Sequence, residues 1–201
     1  MSKNIGLFFG SFNPIHVGHL IIANHMAEYS HLDEVWFVVS PQSPNKSKAS
    51  LLSDHHRLSL VQQAIDDNPK LRASNVEFDL PQPSYTTHTL TYLKDKHPNH
   101  NFSLIMGEDN LNSFHKWKNF ESILEQHKIL VYPRIESDTS LLVAKANKSE
   151  LIRHASVSII DAPMMKISAS FIRKSIQENK DVRYLLTEPV WKYVDEMNFY
   201  K

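Results

Sequence analysis

Four runs of apolar residues constrain this chain more than anything else in it: Val35-Trp36-Phe37-Val38-Val39, Ser103-Leu104-Ile105-Met106, Ile129-Leu130-Val131-Tyr132 and Val157-Ser158-Ile159-Ile160. They are continuous rather than alternating. That pattern marks strands covered on both faces, as in a parallel sheet. A further run, Ile5–Phe9, ends at Gly10 and reads as the first strand. Between the runs lie segments with helical spacing. Val17–Tyr29 carries Leu20, Ile21, Ala23 and Ala27. Ser53–Asp67 has Ser53 as a cap and Leu58, Val61 and Ile65 on one face. Leu71–Phe78 reads as a third strand and Thr87–Lys96 as a helix ended by His97-Pro98. Phe102–Met106 is the fourth strand, Asn110–Gln126 a helical region broken near Trp117, and Lys128–Tyr132 the fifth strand. Leu141–Arg153 is read as helical, Val157–Ile160 as the sixth strand, and Ala169–Glu178 and Pro189–Met197 as closing helices.

Strand–helix repetition of this kind predicts an α/β fold: a doubly wound, Rossmann-like, mostly parallel sheet with helices on both faces. Residues 1–201 are expected to form a single domain, with a C-terminal helical segment from about 164 to 201. In such sheets ligands bind beyond the carboxyl ends of the strands. The unusual polar segments all fall there: GSFNP, PQSPNK, PSYTTH, GEDN, YPR and MMKISAS.

Composition narrows the chemistry. There is no cysteine, which excludes disulfides, thiolate nucleophiles and Cys-based zinc sites. Lys plus Arg and Asp plus Glu both count 22, and no long basic run gives a nucleic-acid footprint. A small phosphate ligand suits the scattered basic residues better. The apolar runs are too short to span a bilayer. MSKNIGLFFG lacks a signal-peptide core, so a cytoplasmic location is the expectation.

The segment GSFNPIHVGH holds most of the chemistry. Gly10 permits a tight turn, Ser11, Phe12 and Asn13 offer amides and small polar groups, and Pro14 stiffens the turn. A helix then starts near His16, presenting free amides and a partial positive charge suited to phosphate. His16 and His19 share a face of the first turn, and Gly18 leaves room for a base or ribose. Two surface histidines on an ordinary turn, or a zinc pair lacking a third ligand, are the competing readings.

GSFNPIHVGH resembles the GxFxPxHxGH signature of the HxGH nucleotidyltransferase superfamily. A second signature of that group, ISxSxIR, is matched by Ile167-Ser168-Ala169-Ser170-Phe171-Ile172-Arg173. Between them, SPQSPNKSK, PSYTTHTLTYL, GEDNLNSFHKWKN, Tyr132-Pro133-Arg134 and VRYLLTEPVWKYV are similar to blocks of the bacterial nicotinate mononucleotide adenylyltransferases. The resemblance covers nearly the whole chain. It implies adenylyl transfer from ATP to nicotinate mononucleotide, with Mg²⁺, giving nicotinate adenine dinucleotide and pyrophosphate in NAD biosynthesis. Four positions depart from the usual pattern: Asn13, His88, Asn45 and Ala169.

The resemblance implies a catalytic set of His16, His19, Lys46 and Arg173, because two polyanions must meet and charge must be stabilised on leaving pyrophosphate. ATP is expected on Gly10, Ser11, Phe12, Asn13, His16, Gly18, His19, Ile167, Ser168, Ser170 and Arg173. The acceptor is expected on Lys46, Ser84, Tyr85, Thr86, Thr89, Gly107, Asp109, Trp117 and Arg134. The Trp117 indole suits a cationic pyridinium, and the Thr86 hydroxyl and backbone amides suit a carboxylate. Without that context Ser168 would be a helix cap and Trp117 a core residue. No protein ligand is expected for the metal, which would arrive on the ATP phosphates. A nicotinamide mononucleotide or phosphopantetheine adenylyltransferase, a class I aminoacyl-tRNA synthetase fragment and a non-catalytic nucleotide sensor are the rival readings. A homo-oligomer is left open.

Overall fold

The structure is a computed structural model and describes residues 1–41, 51–133 and 150–201. Six strands form one all-parallel sheet: β1 Asn4–Gly10, β2 Glu34–Val39, β3 Leu71–Ser74, β4 Asn101–Gly107, β5 Ile129–Tyr132 and β6 Val157–Ile159. Their spatial order is β3-β2-β1-β4-β5-β6. The chain winds outward in one direction from β1 and then returns to build the other half from β4. The order therefore reverses between β1 and β4, and a crevice opens there at the carboxyl ends.

Strand alternation divides the apolar residues between two layers. Leu7, Val38, Leu104 and Val131 point to one face, where they meet helices α3 (Thr86–Lys96), α4 (Glu108–Ser113) and α5 (Phe120–Gln126). Phe8, Phe37, Ile105 and Leu130 point to the other face. There they meet α1 (Val17–Tyr29), α2 (Asp54–Ile65), α6 (Ala169–Gln177) and α7 (Glu188–Glu196). Three helix starts are readable from local chemistry. Ser53 caps α2 by accepting from His56 N, Ser168 caps α6 by accepting from Phe171 N, and Pro189 sits in the first turn of α7.

Some boundaries differ from the expectation. β3 ends at Ser74, and the residues to Phe78 turn away from the sheet. The 110–126 region is two helices joined by a short 3₁₀ turn at Phe114–Lys116, since Asn119 adopts a left-handed conformation that ends any continuous helix. Of the 141–153 helix, residues 141–149 lie outside the described residues, and Glu150–Arg153 is 3₁₀. The buried face of α2 is rotated: Arg57, Leu60, Val61, Ala64 and Ile65 are buried, whereas Leu58 is only partly so.

Candidate active site

Backbone geometry brings the strand ends together. Gly10 pairs with Val39 in register, and Ser40 N donates to Gly10 O at 2.9 Å. Gly107 pairs with Tyr132. Phe12 takes a left-handed φ of 45° and folds its ring back over the end of β1. A Cβ at Gly10 would lie 2.7 Å from Phe12 Cζ, so only glycine fits beneath that ring. The ring then meets His19 edge-on, with centroids 5.1 Å apart.

The two histidines are built as a pair. His16 is the N-cap of α1, and His19 lies one turn on. Their rings stack at 3.7 Å with 22° between planes. His16 N donates to His19 Nδ1 at 3.3 Å. An acceptor at Nδ1 leaves the proton of the neutral ring on Nε2. Gly18, expected to leave room for a base or ribose, is instead buried between the His16 ring and Ile167. Its missing side chain admits the His16 ring and Ile167: a Cβ there would meet His16 Nδ1 at 3.1 Å and Ile167 Cβ at 3.7 Å.

Ile167 brings the second sequence signature to the first. Arg173, in α6, donates from Nη1 to Asn13 O at 2.8 Å and from Nη2 to Ser170 Oγ at 3.4 Å. Asn13 is itself buried, and its Oδ1 accepts from Leu52 N at 3.2 Å and from the Tyr200 hydroxyl at 2.8 Å. Histidine turn, α6 and the C-terminal Tyr200 thus form one connected cluster. Burial pushes the Tyr200 hydroxyl well above the ordinary tyrosine range, with Arg173 and Arg57 pulling it back.

The expected acceptor residues lie at the start of α3 and after β4. Tyr85 is the N-cap of α3 but gives no side-chain cap, so the first-turn amides at Thr86 and Thr87 receive no acceptor from it. Ser84 Oγ donates to Gln82 Oε1 at 3.0 Å. Thr89 faces inward: it is buried and donates to Glu77 Oε1 at 2.7 Å. Burial raises the Glu77 pKa, against the hydroxyls of Thr89, Ser40 and Ser84. Gly107 caps α4, whose first turn holds Asp109. Trp117 is partly buried, edge-on to Phe114 with centroids 5.2 Å apart. Lys118 joins this region to α3. Its Nζ lies 4.7 Å from the Tyr85 ring centre and 3.3 Å from His88 Nε2. Lys46 and Arg134 lie outside the described residues.

The sequence model of the Cytidylyltransferase-like family matches residues 7–175. A Christiangramia forsetii protein named "Probable nicotinate-nucleotide adenylyltransferase" is 58% identical over 201 residues, covering 100% of both chains. The chain belongs to the nicotinate-nucleotide adenylyltransferase family. A Flavobacterium psychrophilum relative of the same name is 56% identical over 197 residues, covering 98% of each. The fold matches the Plasmodium falciparum nicotinic acid mononucleotide adenylyltransferase, with a TM-score of 0.78 at 23% identity, over 98% of this chain and 97% of that one.

Three residues of this adenylyltransferase's cluster escaped the sequence reading: Arg57, Glu77 and Tyr200. A signal existed for Arg57, because it falls in step with Leu60, Val61 and Ala64 on the buried side of α2. None existed for Tyr200, which reaches Asn13 across nearly the whole chain. A cavity of about 590 Å³ lies at the opposite, amino-terminal edge of the sheet, lined by Asn4, Asn101 and Lys128 among others. It is distinct from the histidine turn. Among the described residues no helix is long and apolar enough to cross a membrane, and no group of three or more His, Cys, Asp or Glu is arranged to hold a metal ion.

Proposed function

We infer that the protein transfers the adenylyl group of ATP to nicotinate mononucleotide, forming nicotinate adenine dinucleotide and pyrophosphate, a step of NAD biosynthesis. The observation that carries the reading is the bond from Arg173 Nη1 to Asn13 O, 2.8 Å, which unites the two sequence signatures. The Plasmodium falciparum fold relative is a complex with NaAD, which agrees with this chemistry.

In this reading the ATP phosphates lie at the N-terminus of α1, whose partial positive charge favours them. The amides and small groups of Gly10, Ser11, Phe12 and Asn13 line the turn, and Gly18 and Ile167 keep the His16 ring in place beside it. His19 Nε2–H faces the α-phosphate. His16 and Arg173 face the β- and γ-phosphates. A guanidinium has five N–H donors, and the bonds to Asn13 and Ser170 use two. Ser168 Oγ accepts the α6 cap bond from Phe171 N, which fixes the helix that carries Arg173 and leaves the hydroxyl proton to donate to phosphate. An oxygen of the acceptor phosphate forms the new bond to the α-phosphorus, while the bond from that phosphorus to the leaving pyrophosphate breaks. The nucleophile is already ionised, so no general base is needed. Catalysis is alignment plus charge stabilisation.

The acceptor's carboxylate suits the uncapped amides at the start of α3 and the Thr86 hydroxyl. Ser84 and Tyr85 shape that wall, and Thr89 supports it through Glu77. Trp117 supplies a face for the pyridinium, and Gly107 and Asp109 belong to the same acceptor site; Lys46, for the acceptor phosphate, and Arg134 are assigned to it from the sequence resemblance alone. The donor set at the histidine turn is imidazole, guanidinium and amide. Mg²⁺ requires oxygen ligands in near-octahedral geometry, so the metal belongs to the substrate as MgATP, where it offsets phosphate charge. Measuring pyrophosphate release with ATP and each acceptor tests the reading. Release with nicotinate mononucleotide is expected. Release with nicotinamide mononucleotide alone would reassign the acceptor, and ATP binding without release would make the protein a sensor.

A further inference from the structure

Arg57 is fully buried, in α2, and its guanidinium bonds four backbone carbonyls outside its own helix and one carboxylate, Asp54, in the helix's first turn. Nη1 donates to Ser11 O at 2.6 Å and to Ser40 O at 2.9 Å. Nε donates to Leu52 O at 3.1 Å, and Nη2 to Asp54 Oδ1 at 2.6 Å and Pro41 O at 3.5 Å. Burying a cation is unfavourable by several kcal/mol before its partners are counted, and an apolar residue in the stripe of Leu60 and Val61 would pack more simply. What Arg57 adds is specific. Ser11 belongs to the turn after β1, Ser40 and Pro41 to the turn after β2, and Leu52 to the approach to α2. The backbone joins the first two through Ser40 N and Gly10 O, 2.9 Å. Arg57 fixes them from beneath with a planar fork, a geometry lysine lacks. Asn13 O, two residues beyond Ser11 O, is held by Arg173. Two guanidiniums, one from each of two helices, therefore set the path of the chain into the stacked histidines.

We propose that Arg57 is a positioning residue for adenylyl transfer, acting through Ser11 and Ser40–Pro41 to hold the histidine turn at the height in-line attack requires. The proposal rests on the adenylyl-transfer reading above. Ground-state binding tolerates a small shift of the turn, whereas alignment does not; a displacement near 1 Å lowers rate by about 100-fold.

The test is Arg57→Lys, which keeps a buried charge but loses the fork. Turnover is expected to fall about 100-fold, with ATP affinity within about threefold of wild type. On a His19→Ala background the same change should lower turnover by less than about threefold, since both act on one device. Without substrate, the ring signals of His16 and His19 in NMR spectra should move, while that of His127, at the far edge of β4, should not. Turnover within about twofold of wild type, a fully multiplicative double variant, or unmoved His16 and His19 signals would each overturn the proposal. If Arg57→Lys does not fold, Arg57→Met, which buries no charge, takes the same assays. Failure of both to fold makes Arg57 purely structural and also overturns it. An inactive wild-type enzyme would instead defeat the functional reading, and the NMR comparison would still judge Arg57.

Discussion

Replacing Gly18 with alanine should separate stability from activity. Gly18 is the second residue of α1 and has no positive φ, so alanine fits its backbone. Helix propensity alone favours the variant by up to about 1 kcal/mol. The added Cβ would, however, lie 3.1 Å from His16 Nδ1 and 3.3 Å from Cε1. Ordinary contact needs roughly 3.6 Å, so the ring must retreat by about 0.5 Å. Its way back is limited, because it is buried and stacks on His19 at 3.7 Å. Half the displacement that lowers rate about 100-fold gives an expected loss near tenfold in turnover. Stability should stay within about 1 kcal/mol of wild type. Urea unfolding gives the stability, and steady-state pyrophosphate release gives the rate. Turnover within about twofold of wild type would refute the crowding argument. A loss of more than about 2 kcal/mol in stability would refute the claim that only the ring moves.

Three further substitutions probe other parts of the site. His19→Ala should leave the circular dichroism spectrum intact and lower turnover by about 100-fold or more, equivalent to losing one electrostatic donor of about 2.7 kcal/mol; an unchanged turnover number removes His19 from the chemistry. Trp117→Ala should weaken nicotinate mononucleotide binding with ATP affinity retained, as measured by calorimetry, whereas equal loss for both ligands would assign it to packing. Glu77→Gln tests pH linkage. Burial raises the Glu77 pKa, so the folded state holds the proton more tightly, and wild-type stability falls as pH rises from the ordinary Glu value through the raised one. The variant's melting temperature should therefore gain on wild type as pH rises above the ordinary Glu range, and a constant difference would contradict the buried carboxylate.

The continuous apolar runs made the parallel sheet legible, because a strand covered on both faces leaves no polar alternation to mistake. The histidine turn and the Arg173 segment were legible as signatures, but their meeting at Asn13 O was not, because β6 lies at the sheet edge with β4 and β5 between it and β1. Helix faces were harder to read. On α2 the search for an apolar stripe favoured Leu58 and passed over Arg57, since periodicity assigns a charged residue to solvent by default. Arg57 is inside because four carbonyls at distant turns satisfy it, together with Asp54. Thr89 shows the reverse case. Its place in the SYTTHT segment suggested a ligand contact, but helical geometry turns it toward Glu77. Gly18 was expected to leave room for a base or ribose, but it is buried and the space is taken by His16 and Ile167. Such partners are fixed by tertiary contact and leave no local spacing to find.

The most direct test follows the label of ATP carrying radioactive phosphorus at either the α- or the γ-position, incubated with enzyme, Mg²⁺ and nicotinate mononucleotide. Label from the α-position should appear in the dinucleotide and label from the γ-position in pyrophosphate. Transfer of γ-label to the mononucleotide, or recovery of both labels in unreacted ATP, would contradict attack at the phosphorus facing His19.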